Sequence, residues 1–115
     1  MFWTLTQVAL GGAIGAALRF LTVAFVGAPL ATLLVNIIGS FLIGAAMVAL
    51  SARLSPLLVT GVLGGFTTFS AFSLDALKLW ETGQAVQAAL YVAVSVFLSL
   101  VAVALGAALA RGAFA

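Results

Sequence analysis

Polar residues recur every four positions along an apolar stretch centred near residue 36. Thr32, Asn36 and Ser40 lie four apart, and on a helix they share one face because four residues turn the chain through about 400°. The Asn36 amide can donate to an anion and accept from a neighbour at the same time. An interhelical hydrogen bond that only fixes packing is the alternative. The stripe therefore indicates a binding face or a packing contact, and the residues leave both open.

A second stripe of the same kind occupies a later apolar stretch. Gln87, Tyr91, Ser95 and Ser99 are again four apart, so the face drifts by only about 40° at each step. In register, these groups could pass a small hydrated ion from donor to donor. Serines in helices also commonly bond the carbonyl four residues back. The stripe predicts a hydroxyl ladder or ordinary back-bonding.

The segment Gly64 to Ser70 reads GGFTTFS, a glycine pair followed by two β-branched threonines. Both residue types weaken a helix, and a break between Gly64 and Thr67 would leave carbonyls without partners at the negative end of a helix dipole. Such carbonyls could bind a cation. Glycines that merely allow two helices to approach closely are the competing interpretation, and Gly11 and Gly15 in the first stretch are interpreted in that way.

Two phenylalanines follow the glycine pair at helical spacing. Phe69 and Phe72 would most often be core or lipid-facing residues, but the electropositive edge of a phenyl ring can also face an anion. Asp75 and Arg19 each lie towards a predicted span end. Anchoring at the membrane interface is the default expectation for both charges, and attraction of an anion is the alternative for Arg19.

The composition decides what kind of protein carries these groups. Of the residues, 66% are hydrophobic and 5% are charged, and the mean hydropathy is +1.43. A soluble protein has about a quarter of its residues charged. Uncharged runs cover residues 20–52, 54–74 and 82–110, each longer than the roughly 20 residues that cross a bilayer. The chain is predicted to be an integral membrane protein, which excludes a globular enzyme, a nucleic-acid binder and a disordered tail.

Turn residues divide the chain into four predicted transmembrane helices in a single domain, residues 1–115. Proline and glycine near residues 27–29, the segment around Pro56 and a polar loop after Trp80 separate them. The predicted spans are 4–26, 30–50, 56–80 and 85–110. Four spans leave no room for a soluble domain, and the absence of cysteine and histidine removes the usual thiolate, metal-ligand and acid/base chemistry.

The basic residues give no orientation bias. With four spans, Arg53 and Arg111 lie on the side of both termini, and Lys78 and the nearer end of the Arg19 helix lie on the other side. Basic residues near span ends bias which side stays in the cytoplasm. Two basic residues on each side of the membrane allow the chain to insert in both directions, and two opposite copies can then pair into an antiparallel dimer. A weak signal in a small sample is the alternative.

The segment GGFTTFSAFSLD at Gly64 to Asp75, Asn36 within LLVNIIGSFLIG and the early GGAIGAALRF closely resemble the Fluc/CrcB family of fluoride ion channels. The resemblance covers all four spans. It implies an all-α integral membrane fold with a break in the third helix, assembled as an antiparallel dual-topology homodimer. It also implies two fluoride pathways, a central structural sodium ion and a place in the bacterial cytoplasmic (inner) membrane.

The resemblance further assigns roles to individual residues. Phe69 and Phe72 become the aromatic box that contacts fluoride, and Asn36 becomes the pore-lining amide. The backbone carbonyls of Gly64 and Thr67 from both subunits would hold the sodium. The remaining implied positions are Thr68 and Ser70 beside the pathway, Tyr91, Ser95 and Ser99 on a polar track, and Arg19 and Asp75 as vestibule charges. Two residues depart from the family pattern: Ala71 stands where a hydroxyl is usual, and Asp75 where Glu is expected.

The expected function is passive fluoride export, with the bilayer and a second copy as partners and no nucleic acid. The main alternative is a small four-span proton-coupled exporter of cationic compounds, which needs a carboxylate deep in the membrane. Asp75 and Glu81 both fall towards a span end. A structural four-span subunit without a conduction path is disfavoured by the two polar stripes, and an enzyme is hardest to support because no nucleophile and base can be paired.

Overall fold

The uncharged runs fold into long helices in the structure, a computed structural model in which residues 1–114 are described. Four helical spans are long and apolar enough to cross a membrane, and no strand occurs within residues 1–114. The elements are α1 (Phe2–Val26), α2 (Leu30–Ala49), a π-helix (Pro56–Leu63), α3 (Gly64–Phe66), α4 (Ser70–Glu81) and α5 (Ala85–Phe114). The π-helix, α3 and α4 together form the third span, so the predicted all-α architecture with four apolar spans is confirmed.

The third span is broken, but later than the glycine pair suggests. Gly64 has ordinary helical angles, φ −63° and ψ −35°, and the helix continues to Phe66. The chain becomes extended at Thr67, with φ −82° and ψ 160°. The Thr67 N–H still donates to the Leu63 carbonyl, but the Thr68 N–H donates to the side chain of Asn36. A hydrogen-bond partner on another helix therefore sets the position of the break, more than the low helix propensity of glycine does.

Glycines in α1 allow this helix to pack directly against the first half of the third span. Gly11 and Gly15 are both buried. A Cβ atom at Gly11 would overlap the Leu57 carbonyl, and one at Gly15 would overlap the Val62 carbonyl. The backbones touch because neither residue has a side chain. The interpretation of Gly11 and Gly15 as a packing motif is confirmed.

α2 and α5 form the second close pair of helices. A Cβ atom at Gly44 would overlap the Val103 carbonyl, and one at Gly106 would overlap the Phe41 carbonyl. Small side chains at these crossings bring the helix backbones together, which is how helices associate where lipid removes the usual hydrophobic drive. The two polar stripes of the sequence lie on these two helices, so the pairing decides which polar groups meet.

Large apolar side chains mostly lie on the outside of the protein. Phe20, Phe25 and Phe97 are exposed, whereas the buried residues include Ala31 and Val35. This arrangement suits a chain whose solvent is hydrocarbon, because lipid tails solvate apolar side chains as well as a protein core does.

Candidate functional site

A cavity of about 390 Å³ lies where α2, α5 and the broken third span meet. It is lined by Asn36, Ser40, Gly64, Thr67, Thr68, Phe69, Phe72, Ser95, Val96 and Ser99. The structure thus brings together six of the eight residues predicted for a fluoride pathway and both residues predicted to bind sodium. Tyr91 and Ser70, the other two predicted pathway residues, do not line it. Ser40 also lines it; the sequence places Ser40 on the α2 polar stripe but assigns it no individual role.

Asn36 holds the break of the third span through its whole amide group. The Thr68 N–H donates to Asn36 Oδ1 at 2.8 Å, and Asn36 Nδ2 donates to the Thr68 carbonyl at 2.9 Å. These two bonds satisfy backbone groups that the broken helix cannot satisfy itself. One Nδ2 hydrogen remains, since an amide nitrogen carries two. Asn36 therefore positions the backbone first and has a single donor left for a ligand.

The threonine hydroxyls at the break also serve the backbone. Thr67 Oγ1 donates to the Leu63 carbonyl at 3.1 Å, and Thr68 Oγ1 accepts from the Ala71 N–H at 3.1 Å. Thr68 Oγ1 also lies 3.4 Å from Ser70 Oγ. Ser70 thus reaches the cavity wall only through Thr68. These side chains shape the cavity and stabilise the first turn of α4.

The serines of the cavity are not engaged in this way. Ser95 is 5% exposed, and its Oγ has no hydrogen-bond partner within residues 1–114. The hydroxyls of Ser40 and Ser99 make no hydrogen bond within the same residues, although other hydroxyls in this chain bond the carbonyl four residues back, namely those of Thr6, Thr22, Thr67, Ser73 and Thr82. Back-bonding of Ser95 and Ser99, one of the two interpretations of the α5 stripe, is not what the structure adopts. Free hydroxyl donors instead face the cavity from α2 and α5.

Phe69 and Phe72 meet edge to face in the cavity wall. Their ring centroids are 5.4 Å apart and the ring planes are inclined by 63°, a geometry that brings the positive edge of one ring to the face of the other. Phe72 is 7% exposed and lies 5.3 Å from the Tyr91 ring, whereas Phe69 is 78% exposed. The cavity therefore has a fixed aromatic wall at Phe72 and is open on the side of Phe69.

Tyr91 and Asp75 lie outside the cavity, behind Phe72. The Tyr91 hydroxyl donates to Asp75 Oδ2 at 3.3 Å. Asp75 lines a separate cavity of about 270 Å³ near the end of α4, together with Ala28, Pro29, Lys78, Leu79, Thr82 and Gln84. The carboxylate thus lies near a span end, as the sequence predicts, and it is connected to the α5 stripe through Tyr91.

Arg19 contacts the break from the opposite side. Its Nε donates to the Gly65 carbonyl at 3.1 Å, and the side chain is half-buried. A guanidinium suits this position because it satisfies an orphan carbonyl and places positive charge at the negative end of the half-helix. The sequence did not predict this hydrogen bond between Arg19 and Gly65. For the charge of Arg19, anchoring of the helix end and attraction of an anion both stay predictions.

Some carbonyls at the break remain without a donor. Within residues 1–114, no hydrogen bond reaches the carbonyl oxygens of Gly64 or Thr67, whereas Gly65 and Thr68 are bonded by Arg19 and Asn36. Gly64 is exposed and lies on the rim of the cavity. No group of three His, Cys, Asp or Glu side chains that could hold a metal exists in the described part of the chain. Any cation bound here would be held by backbone oxygens.

Comparison with known proteins gives a consistent result over nearly the whole chain. A family profile described as "CrcB-like protein, Camphor Resistance (CrcB)" matches residues 6–107, which include every residue that lines the cavity. A curated protein of Cereibacter sphaeroides named "Fluoride-specific ion channel FluC" is 52% identical over 97% of this chain and 98% of its own length. A protein of the same name from Ruegeria sp. is 51% identical with the same coverage. A third, from Jannaschia sp., is 57% identical over 76% of this chain and 87% of its own length.

Proposed function

Because this chain belongs to the CrcB family, whose curated relatives are named fluoride-specific ion channels, we propose that it conducts fluoride passively out of the cell. The family is one of ion channels and not of enzymes, and the four apolar helices make this chain an integral multi-pass membrane protein. We place it in the bacterial cytoplasmic membrane. There it would release fluoride that accumulates when the weak acid HF enters and dissociates.

The cavity between α2, α5 and the break is the observation that carries this proposal. Fluoride is small and strongly hydrated, so a pathway must replace water with other donors at close range. The hydroxyls of Ser95 and Ser99 are free, one Asn36 N–H remains, and the rings of Phe69 and Phe72 line the same space. No acidic side chain lines this cavity. Neutral donors without a competing carboxylate favour an anion over a cation.

A second copy of the chain suits the open side of the cavity. Phe69 is largely exposed and Gly64 is exposed, yet irregular backbone at membrane depth must be buried in protein or line a water-filled space. A partner that covers Phe69 and the break would meet this requirement. The balanced charges of Arg53 and Arg111 against Lys78 and Arg19 support an antiparallel arrangement. An antiparallel homodimer would then contain two equivalent pathways, one for each cavity.

Sodium is proposed at the dimer centre, on the carbonyls of Gly64 and Thr67. The donor set fits, because a hard cation prefers oxygen ligands, and these two carbonyls lack donors within residues 1–114. These two carbonyls of one chain do not complete a coordination shell, so a two-fold partner would be needed to supply further oxygens. When bound, the cation would add positive charge at the break and tie the two chains together.

Efflux from liposomes tests the channel function directly. The purified protein is reconstituted in vesicles loaded with potassium fluoride or potassium chloride, and valinomycin carries the counter-ion while an ion-selective electrode follows the anion. We expect fluoride efflux within seconds to minutes and chloride efflux at the rate of protein-free vesicles. Equal rates for the two anions, or no fluoride efflux from vesicles that contain folded protein, would reject the proposal.

A proton-coupled exporter of cationic compounds remains the second candidate, and the geometry disfavours it. Such a protein needs a carboxylate that faces the transport path. Asp75 lies outside the main cavity and accepts a hydrogen bond from Tyr91, and Glu81 is exposed. Accumulation of a cationic dye in the same vesicles under a pH gradient would support the exporter, and its absence would support the channel.

A further inference from the structure

Ser40 lies in the wall of the main cavity on the α2 side. It follows Asn36 by four residues, so it lies about one turn further along the same helix face. Ser95 and Ser99 line the cavity from α5 at the same spacing. The pairing of α2 with α5 therefore brings three serines from two helices to one cavity.

The polar groups of this cavity separate into two classes. Asn36, Thr67 and Thr68 use their side chains to satisfy the broken backbone. The three serine hydroxyls make no hydrogen bond within residues 1–114. Ser95 is almost fully buried although its hydroxyl has no partner there. A buried hydroxyl without a partner is destabilising, because its hydrogen bonds with water are lost and not replaced. The cost at Ser95 indicates that a ligand other than this chain satisfies its hydroxyl, and the free hydroxyls of Ser40 and Ser99 line the same cavity.

We infer that the Ser40 hydroxyl is a further anion ligand of the pathway, which completes a site of three free hydroxyls with Ser95 and Ser99. This inference rests on the proposed function, because it names a residue that binds the conducted ion. Each hydroxyl carries one rotatable O–H donor. Because these three hydroxyls have no existing hydrogen bond to break, each can turn its O–H towards a small anion as the anion passes. Ser40 is thus placed to bind fluoride itself, whereas Asn36 mainly holds the break in position.

A graded series at residue 40 tests the assignment. Ser40→Ala removes the donor, and Ser40→Cys keeps a similar volume with a much weaker donor. The reference is Ser73→Ala, which removes a hydroxyl already bonded to the Phe69 carbonyl outside the cavity. Fluoride efflux from liposomes is measured below saturation, and size-exclusion chromatography verifies that each variant elutes as wild type does.

The expected order of flux is wild type, then Cys, then Ala. Ser40→Ala should lose about tenfold, the effect of removing one hydrogen bond to a charged group, and Ser73→Ala should match wild type. Wild-type flux in both Ser40 variants would overturn the inference while the channel function stands. Absence of fluoride flux in folded wild-type protein would overturn the proposed function and this assignment with it.

Discussion

Asn36 and Thr68, 32 positions apart, exchange two hydrogen bonds across the break of the third span. The Asn36 side chain accepts from the Thr68 N–H and donates to the Thr68 carbonyl, as a neighbouring β-strand would. The pair replaces the helical bonds that both backbone groups would otherwise make. One side chain on α2 therefore holds the third span open at the cavity.

Asn36→Ala should damage both stability and conduction. It leaves the Thr68 N–H and carbonyl without partners, and each unsatisfied group costs about 1–3 kcal/mol. We expect a melting temperature several degrees below that of wild type in detergent, together with fluoride flux reduced at least tenfold. Thr22→Val provides the control, since Thr22 Oγ1 only bonds its own Leu18 carbonyl. If Asn36→Ala melted and conducted as wild type does, the pair would have no structural role.

The two phenylalanines should respond differently to replacement by isoleucine. Phe69→Ile and Phe72→Ile both remove a ring edge from the cavity and should lower fluoride flux. Phe72 is buried against Tyr91, so Phe72→Ile should also destabilise the fold by about 1–3 kcal/mol. Phe69→Ile should leave the melting of the single chain unchanged. Flux assays and thermal melts on the same preparations check this, and unchanged flux in both variants would remove the aromatic pair from the mechanism.

Packing of α1 against the π-helix should depend on Gly15 and not on its near neighbour Gly12. A Cβ atom at Gly15 would overlap the Val62 carbonyl, whereas at Gly12 nothing lies within 4 Å. Gly15→Ala should therefore destabilise by about 1–3 kcal/mol. Gly12→Ala should be neutral, or stabilising by up to about 1 kcal/mol, because alanine favours the helix. Equal melting temperatures for the two variants would contradict the observed contact.

Removal of sodium should weaken the proposed dimer. Exchange of sodium for N-methyl-D-glucamine is expected to lower the melting temperature and shift the protein towards monomer on size-exclusion chromatography. Gly64→Ala is a useful companion, since within one chain its Cβ has room, with the Val59 carbonyl 3.6 Å away, and the Gly64 carbonyl remains. This variant should keep the sodium response. Indifference of the wild-type dimer to sodium would count against the site.

Lysines added to the loops on one side of the membrane should make the chain insert in a single orientation. Ser51→Lys with Ala52→Lys increases the basic count beside Arg53, and Glu81→Lys with Gln84→Lys increases it on the opposite side; these positions are all exposed. Each double variant alone should insert in one orientation and lose fluoride flux in cells, and co-expression should restore it. Full activity of either double variant alone, with one orientation demonstrated by labelling of an introduced cysteine, would rule out an antiparallel dimer.

Local spacing predicts the polar helix faces of the site, whereas the roles of its residues come from the family resemblance. Asn36, Ser95 and Ser99 each lie on a stripe with a four-residue repeat, and helical geometry places such residues on one face. The glycine pair and the threonines indicated a break in the third span within three residues of its observed place. Phe69 and Phe72 were predicted together, although Phe69 lies in the break and is exposed while Phe72 lies on α4 and is buried.

The sequence by itself determined the membrane class and the four spans, because uncharged length is a property of neighbouring residues. Only the tertiary structure decided which polar groups are engaged and which are free. Arg19 bonds Gly65 from 46 positions away, and Asn36 bonds Thr68. These long-range bonds depend on how α1 and α2 dock against the third span. Once they form, the serine hydroxyls of the cavity remain as its free donors.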